Sequence, residues 1–109
     1  MIQDTISKIE AHIGKSGVQE ISKVELLNLL GTLKSEIAAL EHTHEDDAQS
    51  IVGFAQVSAH EATREDPNPA LVKHSLDGLS ASVEGFEESH PRLADIVNRI
   101  CTTLSNLGI

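Results

Sequence analysis

The segment Phe86-Glu87-Glu88-Ser89-His90-Pro91 constrains this chain most, because it must end one helix and begin another. Proline is favoured in the first turn of a helix, and Ser89 or His90 can occupy the capping position before it. From Pro91 onward, apolar residues recur at steps of four, three, four and three, at Leu93, Val97, Ile100, Leu104 and Leu107. This spacing predicts an amphipathic helix with a coiled-coil-like seam.

The end of this helix has the pattern of a left-handed C-cap. Gly108 stands where the left-handed residue belongs, and Ile109 is spaced to touch Leu104, as in a Schellman motif. We therefore expect the chain to finish as a capped end rather than as a truncation.

Two more helices are predicted before residue 42. Isoleucines at 2, 6, 9 and 13 form one stripe of a short first helix that Gly14 should end. Ser22 and Glu25 have the spacing of a capping box, with Ile21 and Leu26 as a hydrophobic staple, so the second helix should start near residue 22. Its apolar positions follow heptad spacing at Leu26, Leu30, Leu33, Ile37 and Leu40.

The segment 41–47 contains neither glycine nor proline, so the second and third helices could form one rod. We favour a break, because Thr43 with Asp46 resembles an N-cap and three acidic residues follow it. The third helix, at about 44–64, carries Ile51, Phe54 and Val57 beside a stripe of smaller residues: Ala48, Val52, Ala55, Ala59 and Ala62.

The fourth helix should be capped by Asn68 with Pro69 at its first position. Gly78 and Gly85 share a small-residue face with Ser75 and Ser82. Glycine inside a helix costs up to about 1 kcal/mol relative to alanine, so two on one face suggest close approach of the third helix. The alternative is that these are tolerated surface glycines.

Together the patterns predict one all-α domain over residues 1–109, an antiparallel bundle of four to five helices. Aromatic residues make up only 2% of the chain. The core should therefore be built from aliphatic side chains, with Phe54 and Phe86 as its only large anchors. A core this thin favours burial of leftover apolar faces by self-association.

Charge and composition exclude several functions. Seventeen acidic against eight basic residues give a net charge of −9, which repels nucleic acids and anionic membrane surfaces. We find neither an apolar run of membrane-spanning length nor the basic and apolar regions of a signal peptide. The single cysteine, Cys101, cannot form an intrachain disulfide, which suits a reducing compartment. We expect a cytoplasmic protein.

Histidines are the main candidates for chemistry. His42 and His44 lie among acidic residues, and His42 with Asp46 has the i, i+4 spacing of a metal-chelating pair on a continuous helix. The alternative is a solvated polar junction. His60 with Arg64 could support acid–base chemistry but lacks a nucleophile, and Cys101 has only Arg99 as a nearby cation. No cofactor-binding motif is recognised.

The stretch Phe86-Glu87-Glu88-Ser89-His90-Pro91-Arg92-Leu93, followed by Leu104-Ser105-Asn106-Leu107-Gly108-Ile109, resembles a bacterial family known only as domain of unknown function 4404. The leucine-rich second helix is also similar, whereas the segment from about 42 to 68 is longer than in the shorter family members. The resemblance implies a short cytoplasmic helical protein and brings no activity, cofactor or catalytic residue.

We therefore predict a non-enzymatic, homo-oligomeric interaction or structural module without cofactors, which binds itself or another protein. The predicted contact residues lie on the fifth-helix seam and on the small-residue face of the fourth helix: Leu93, Val97, Ile100, Leu104, Gly78 and Gly85. The alternative function is metal binding or metal response through His42, His44 and Asp46.

Overall fold

The computed structural model describes residues 2–108 and has five α-helices. These are α1 (Ile2–Lys15), α2 (Glu20–Ala38), α3 (Glu45–Ala62), α4 (Pro69–Ala81) and α5 (Pro91–Gly108), with a 3₁₀ turn at Glu84–Phe86. The all-α prediction is confirmed, and the described part of the chain contains no strand. In that same part, no helix is both long and apolar enough to cross a membrane.

Helices that follow one another in the chain run in opposite directions, whereas the neighbouring α1 and α3 run parallel, since His12 near the end of α1 contacts Thr63 just after α3. Gln3 near the start of α1 donates to the carbonyl of Lys34 in the second half of α2, and Thr103 of α5 donates to Glu25 near the start of α2. Both pairs are therefore antiparallel. Around the bundle, α1 packs between α2 and α3, and α5 packs between α2 and α4, while α3 and α4 pack against each other.

The start of α2 differs from the prediction. The helix begins at Glu20, and Gln19 precedes it without a side-chain cap, so the Ser22–Glu25 capping box is wrong. Ile21 is 82% exposed and forms no staple. Gly14 lies inside α1, which continues one residue further, to Lys15. The turn that follows α1 contains no glycine at positive φ.

A break does separate α2 from α3, but its cap is not the one predicted. A turn follows Ala38, and His44 is the residue before α3, its carbonyl accepting from the N–H of Ala48 at 2.9 Å. The side chain of Thr43 instead contacts Nδ1 of His44 at 2.8 Å. The break is confirmed, and the Thr43 cap is wrong.

The small-residue stripe of α3 is its buried face. Its members are between 0% and 3% exposed, namely Ala48, Val52, Ala55, Ala59 and Ala62. Phe54 is 41% exposed, so its prediction as a core anchor is wrong, while Phe86 is buried as expected. Alanine side chains let the neighbouring backbones approach closely, and this leaves the ring of Phe54 outside the contact.

The predicted beginnings of α4 and α5 are confirmed. The side chain of Asn68 accepts from the N–H groups of Ala70 and Leu71, and Pro69 is the first helical residue. At α5, the carbonyl of His90 accepts from the N–H of Ala94 at 3.2 Å. Gly108 still belongs to α5, and the predicted cap at Ile109 lies outside the described residues.

Candidate functional site

The predicted contact seam of α5 lies inside the bundle. Leu93, Val97, Ile100 and Leu104 are between 0% and 2% exposed, because α5 packs against α2 and α4 of the same chain. A partner could touch these side chains only if the bundle opened. The candidate contact surface must therefore be sought among the apolar side chains that remain exposed.

Three such side chains lie on the outer side of α3 and α4, and we call them the α3/α4 strip: Phe54, Val57 and Leu71. They are 41%, 49% and 43% exposed, respectively. Phe54 borders the cleft between α3 and α4, whereas Val57, three residues later, borders the groove between α1 and α3 together with Lys8 and Ile9. Leu71 is seven residues before Gly78 on α4 and so lies on the same side of that helix, the side that meets α3. The exposed apolar side chains of the strip therefore do not all border one recess.

Gly78 makes room for the ring of Phe54. A Cβ atom added at Gly78 would lie 2.5 Å from Cδ1 and 3.0 Å from Cζ of that ring, closer than van der Waals contact. The small-residue face predicts a close approach of the α3 backbone at Gly78, and this is wrong, because the group that approaches is the side chain of Phe54. Gly85 has no atom within 4 Å of an added Cβ, so its predicted close approach is wrong.

An open cleft of about 630 Å³ continues the α3/α4 strip toward the start of α3. Its walls combine two aromatic rings with small residues and polar groups: His44, Asp47, Ser50, Phe54, Gly78, Ala81, Ser82, Gly85 and Phe86. Gly78 and Gly85 therefore border the same cleft. Its width follows from the small residues, which leave the space between α3 and α4 unfilled.

Two histidines flank Phe86 at this end of the bundle. The ring centroids of His44 and His90 lie 5.4 and 5.6 Å from that of Phe86, in edge-to-face geometry, and 6.2 Å from each other. Each histidine precedes a helix, and each contacts a preceding hydroxyl through Nδ1, Thr43 for His44 and Ser89 for His90. His90 thus packs on the core anchor as well as beginning a helix.

The predicted metal site is not assembled. Within residues 2–108, no group of three or more histidine, cysteine or acidic side chains has an arrangement that could hold a metal ion. His42 lies in the turn after α2, His44 turns toward Phe86, and Asp46 is an exposed residue in the first turn of α3. The break between α2 and α3 removes the helical i, i+4 spacing on which the prediction depended.

A second pair of histidines lies at the opposite end, where α1 meets α3. The rings of His12 and His60 are 6.2 Å apart beside an open groove of about 570 Å³. Thr63 donates its hydroxyl proton to the carbonyl of Ala59, so Nε2 of His12 acts as the donor to Thr63 at 2.7 Å. In this arrangement His12 cannot remove the proton from the hydroxyl.

His60 and Arg64 share a carboxylate rather than a substrate pocket. Arg64 forms an ion pair with Glu61 at 3.0 Å, and Nε2 of His60 lies 3.9 Å from the other oxygen of Glu61. The His60 side chain is exposed, and a general base needs a partner that positions it against a reacting group. This group is therefore a surface ion-pair cluster.

Cys101 is protected rather than activated. Burial, and secondarily the negative charge of Asp77, raise the pKa of the Cys101 thiol to about 11. Its Sγ lies 3.9 Å from the carbonyl oxygen of Leu76 between α4 and α5. Reactive cysteines require a lowered pKa, so the environment of Cys101 opposes nucleophilic chemistry at neutral pH.

The comparison with protein families covers most of the chain. The model of the Domain of unknown function (DUF4404) family matches residues 26–109, more than three quarters of the chain. This chain belongs to the DUF4404 family. The matched range includes the segment 42–68 and begins within α2, so α1 lies outside it. No curated protein and no solved structure matches the chain.

The apolar periodicity of the sequence did not single out Val57 and Leu71 as exposed side chains. The available signal was that Val57 lies off the alanine stripe of α3, and Leu71 off the stripe formed by Val72, Ser75 and Leu79. That signal identifies apolar residues outside the principal stripe, but it does not distinguish a second buried face from an exposed one.

Proposed function

We propose that this DUF4404 protein is a non-catalytic interaction module of the cytoplasm, and that its contact surface is the α3/α4 strip. The observation that carries the proposal is the exposure of three large apolar side chains on the neighbouring helices α3 and α4, namely Phe54, Val57 and Leu71. Apolar groups gathered on one face of a small protein are typical of a binding surface. The adjoining cleft adds a recess into which a partner can insert a side chain.

We propose no catalytic role because the candidate catalytic side chains lie in environments that disfavour catalysis. The hydrogen bond from His12 to Thr63 has the wrong direction for a base, and the raised pKa of Cys101 disfavours a thiolate. His60 and Arg64 are joined to the same carboxylate. These observations support a structural role for each group.

Self-association is the second candidate, because the same face holds a protruding ring and a cleft bordered by small residues. Two copies related by a two-fold axis would each place the exposed edge of Phe54 against the cleft of the other, as an isologous interface requires. In this arrangement Gly78 and Gly85 would be contact residues, as predicted from the sequence. The seam of α5 would remain inside each copy.

Site-specific photo-crosslinking in the native cells tests the proposal. A benzophenone side chain placed at Val57 should give an adduct of defined mass, and its yield should fall when Phe54→Ser is added. The matched control is the same group at Val24, which is 48% exposed on α2, away from the α3/α4 strip. Failure to form an adduct at position 57, or equal adducts at both positions, would refute the proposed surface.

A further inference from the structure

The charge of the α3/α4 hairpin indicates what kind of partner its apolar face can accept. Residues 45–85 contain eight acidic and two basic residues, which gives −6 of the chain's net charge of −9. Both bases are engaged within the hairpin, Arg64 with Glu61 at 3.0 Å and Lys73 with Asp77 at 2.7 Å. The six remaining acidic residues therefore have no basic residue of the hairpin to neutralise them.

This charge argues against a second copy as the preferred occupant. A two-fold dimer through the α3/α4 strip would bring two hairpins of −6 each into contact. Like charges held within a Debye length, about 8 Å at physiological salt, repel each other. A cationic partner would gain attraction from the same carboxylates, among them Asp47 at the wall of the cleft.

The fold itself shows how a helix occupies a groove between two of its neighbours. In α1, Ile6, Ile9 and Ile13 pack into the groove between α2 and α3 and are at most 3% exposed. An ion pair between Glu10 and Lys34 at 2.8 Å fixes α1 at the edge of that groove. Phe54 and Leu71 likewise leave apolar surface on the outer side of α3 and α4, where the hairpin carries a net charge of −6.

We infer that the α3/α4 strip binds a cationic amphipathic helix of another protein, an inference that rests on the proposed function above. Apolar side chains spaced by three and four residues lie along Phe54, Val57 and Leu71, and one of them enters the cleft beside Gly78. Lysine or arginine side chains on the flanks pair with carboxylates such as Asp47. This is the helix-in-groove mode of recognition, with charge setting the choice of partner.

A pair of synthetic peptides tests this inference. The first is a 14-residue amphipathic helix, the length of α1, with leucines on one face and lysines on the other, and the second carries glutamates in place of the lysines. Binding of each labelled peptide to the full chain is measured by fluorescence anisotropy at about 20 and 200 mM salt, across which screening increases strongly. The lysine peptide should bind, more weakly at the higher salt, and the glutamate peptide should not.

Protein variants with matched controls locate the binding surface. Phe54→Ser should weaken binding of the lysine peptide about fivefold or more, as expected for a central aromatic contact, whereas Val24→Ser should leave it unchanged. Asp47→Asn should weaken it about twofold to threefold, the range of a partly screened charge pair. Glu20→Gln, which also removes an acid from the first turn of a helix, is its control.

The outcomes separate this inference from the proposed function. Equal binding of both peptides, reduced by Phe54→Ser, would overturn the cationic partner and retain the apolar contact surface. A dimer seen by light scattering that Phe54→Ser dissociates would identify a second copy as the occupant and overturn the inference alone. If Phe54→Ser did not change binding of the lysine peptide, that binding would be non-specific charge attraction, and the inference would be overturned.

Discussion

Substituting Gly78 by alanine tests the contact between α3 and α4 on which the candidate surface depends. Alanine stabilises a helix interior by up to about 1 kcal/mol relative to glycine. In this protein the new methyl group would overlap the ring of Phe54, which must then move. The ring is 41% exposed, so it keeps somewhat more than half of the burial that is worth about 1.5–3 kcal/mol for a full phenylalanine side chain.

These two effects oppose each other and can be separated by a double-mutant cycle with Phe54→Ala. With Phe54 present, we expect Gly78→Ala to change the free energy of unfolding by about 0 to −1 kcal/mol, because lost packing offsets the helix propensity. Without the ring, the same substitution should stabilise by about 1 kcal/mol. The coupling free energy is therefore about 1–2 kcal/mol.

Urea denaturation followed by circular dichroism at the helical band measures all four proteins. Gly31→Ala is the control, because Gly31 lies within α2 and a Cβ atom added there meets nothing within 4 Å. It should stabilise both backgrounds equally, by up to about 1 kcal/mol. If Gly78→Ala also stabilised both backgrounds equally, the ring of Phe54 would not lie over Gly78, and our description of the strip would be wrong.

Three further predictions concern single sites. Val97→Asp should lower the free energy of unfolding, measured by urea titration, by more than about 3 kcal/mol, since it buries an unpaired charge. Val57→Asp, at an exposed site, should change the same quantity by less than about 1 kcal/mol. Ser58→Ala should raise the free energy of unfolding by about 1 kcal/mol, and with it the melting temperature, because the Ser58 hydroxyl is fully buried without a hydrogen-bond partner. Ser75→Ala is the control: it loses a hydrogen bond to a backbone carbonyl and should show no gain in stability. Burial raises the pKa of Cys101 from 9.0 to about 11, so at about pH 8 its reaction with a chromogenic disulfide should be about 100-fold slower in the folded than in the unfolded protein. The stability linked to this raised pKa is fully present below about pH 9 and is lost as the pH rises toward 11, so a stability that did not fall over that range would contradict the assignment.

Local signals in the sequence predicted several element boundaries and missed others. Asn68-Pro69 begins α4 and His90-Pro91 begins α5 as expected. Proline is tolerated in the first turn of a helix but not in its interior, so a proline just before an apolar stripe marks where the helix begins. The capping box at Ser22 failed, because α2 already begins at Glu20, where the carbonyl of Gln19 accepts from the N–H of Lys23. A capping side chain contributes only about 1 kcal/mol, so its spacing alone does not fix where a helix begins.

Only part of the candidate surface could be predicted. Gly78 was assigned to a contact face from its position among small residues, and the structure adds that the ring of Phe54 fills the space above it. The approach of His44 and His90 to Phe86 joins residues far apart in the chain, and local spacing carries no signal for it. The net charge of the hairpin can be counted from the sequence, but only the structure shows which exposed apolar side chains it surrounds.

The sequence by itself determined that the protein is a helical bundle and where most of its helices lie, because an apolar period of three and four residues fixes both the helix and its buried stripe. Only the tertiary structure decided which apolar stripes meet inside the chain and which remain outside. The seam of α5 became core because α2 and α4 cover it, and Phe54 stayed outside because alanines on α3 make the closer contact. The apolar period shows which face of a helix is apolar. Which neighbouring helix covers that face, or whether it stays exposed, depends on how the side chains of all the helices pack together.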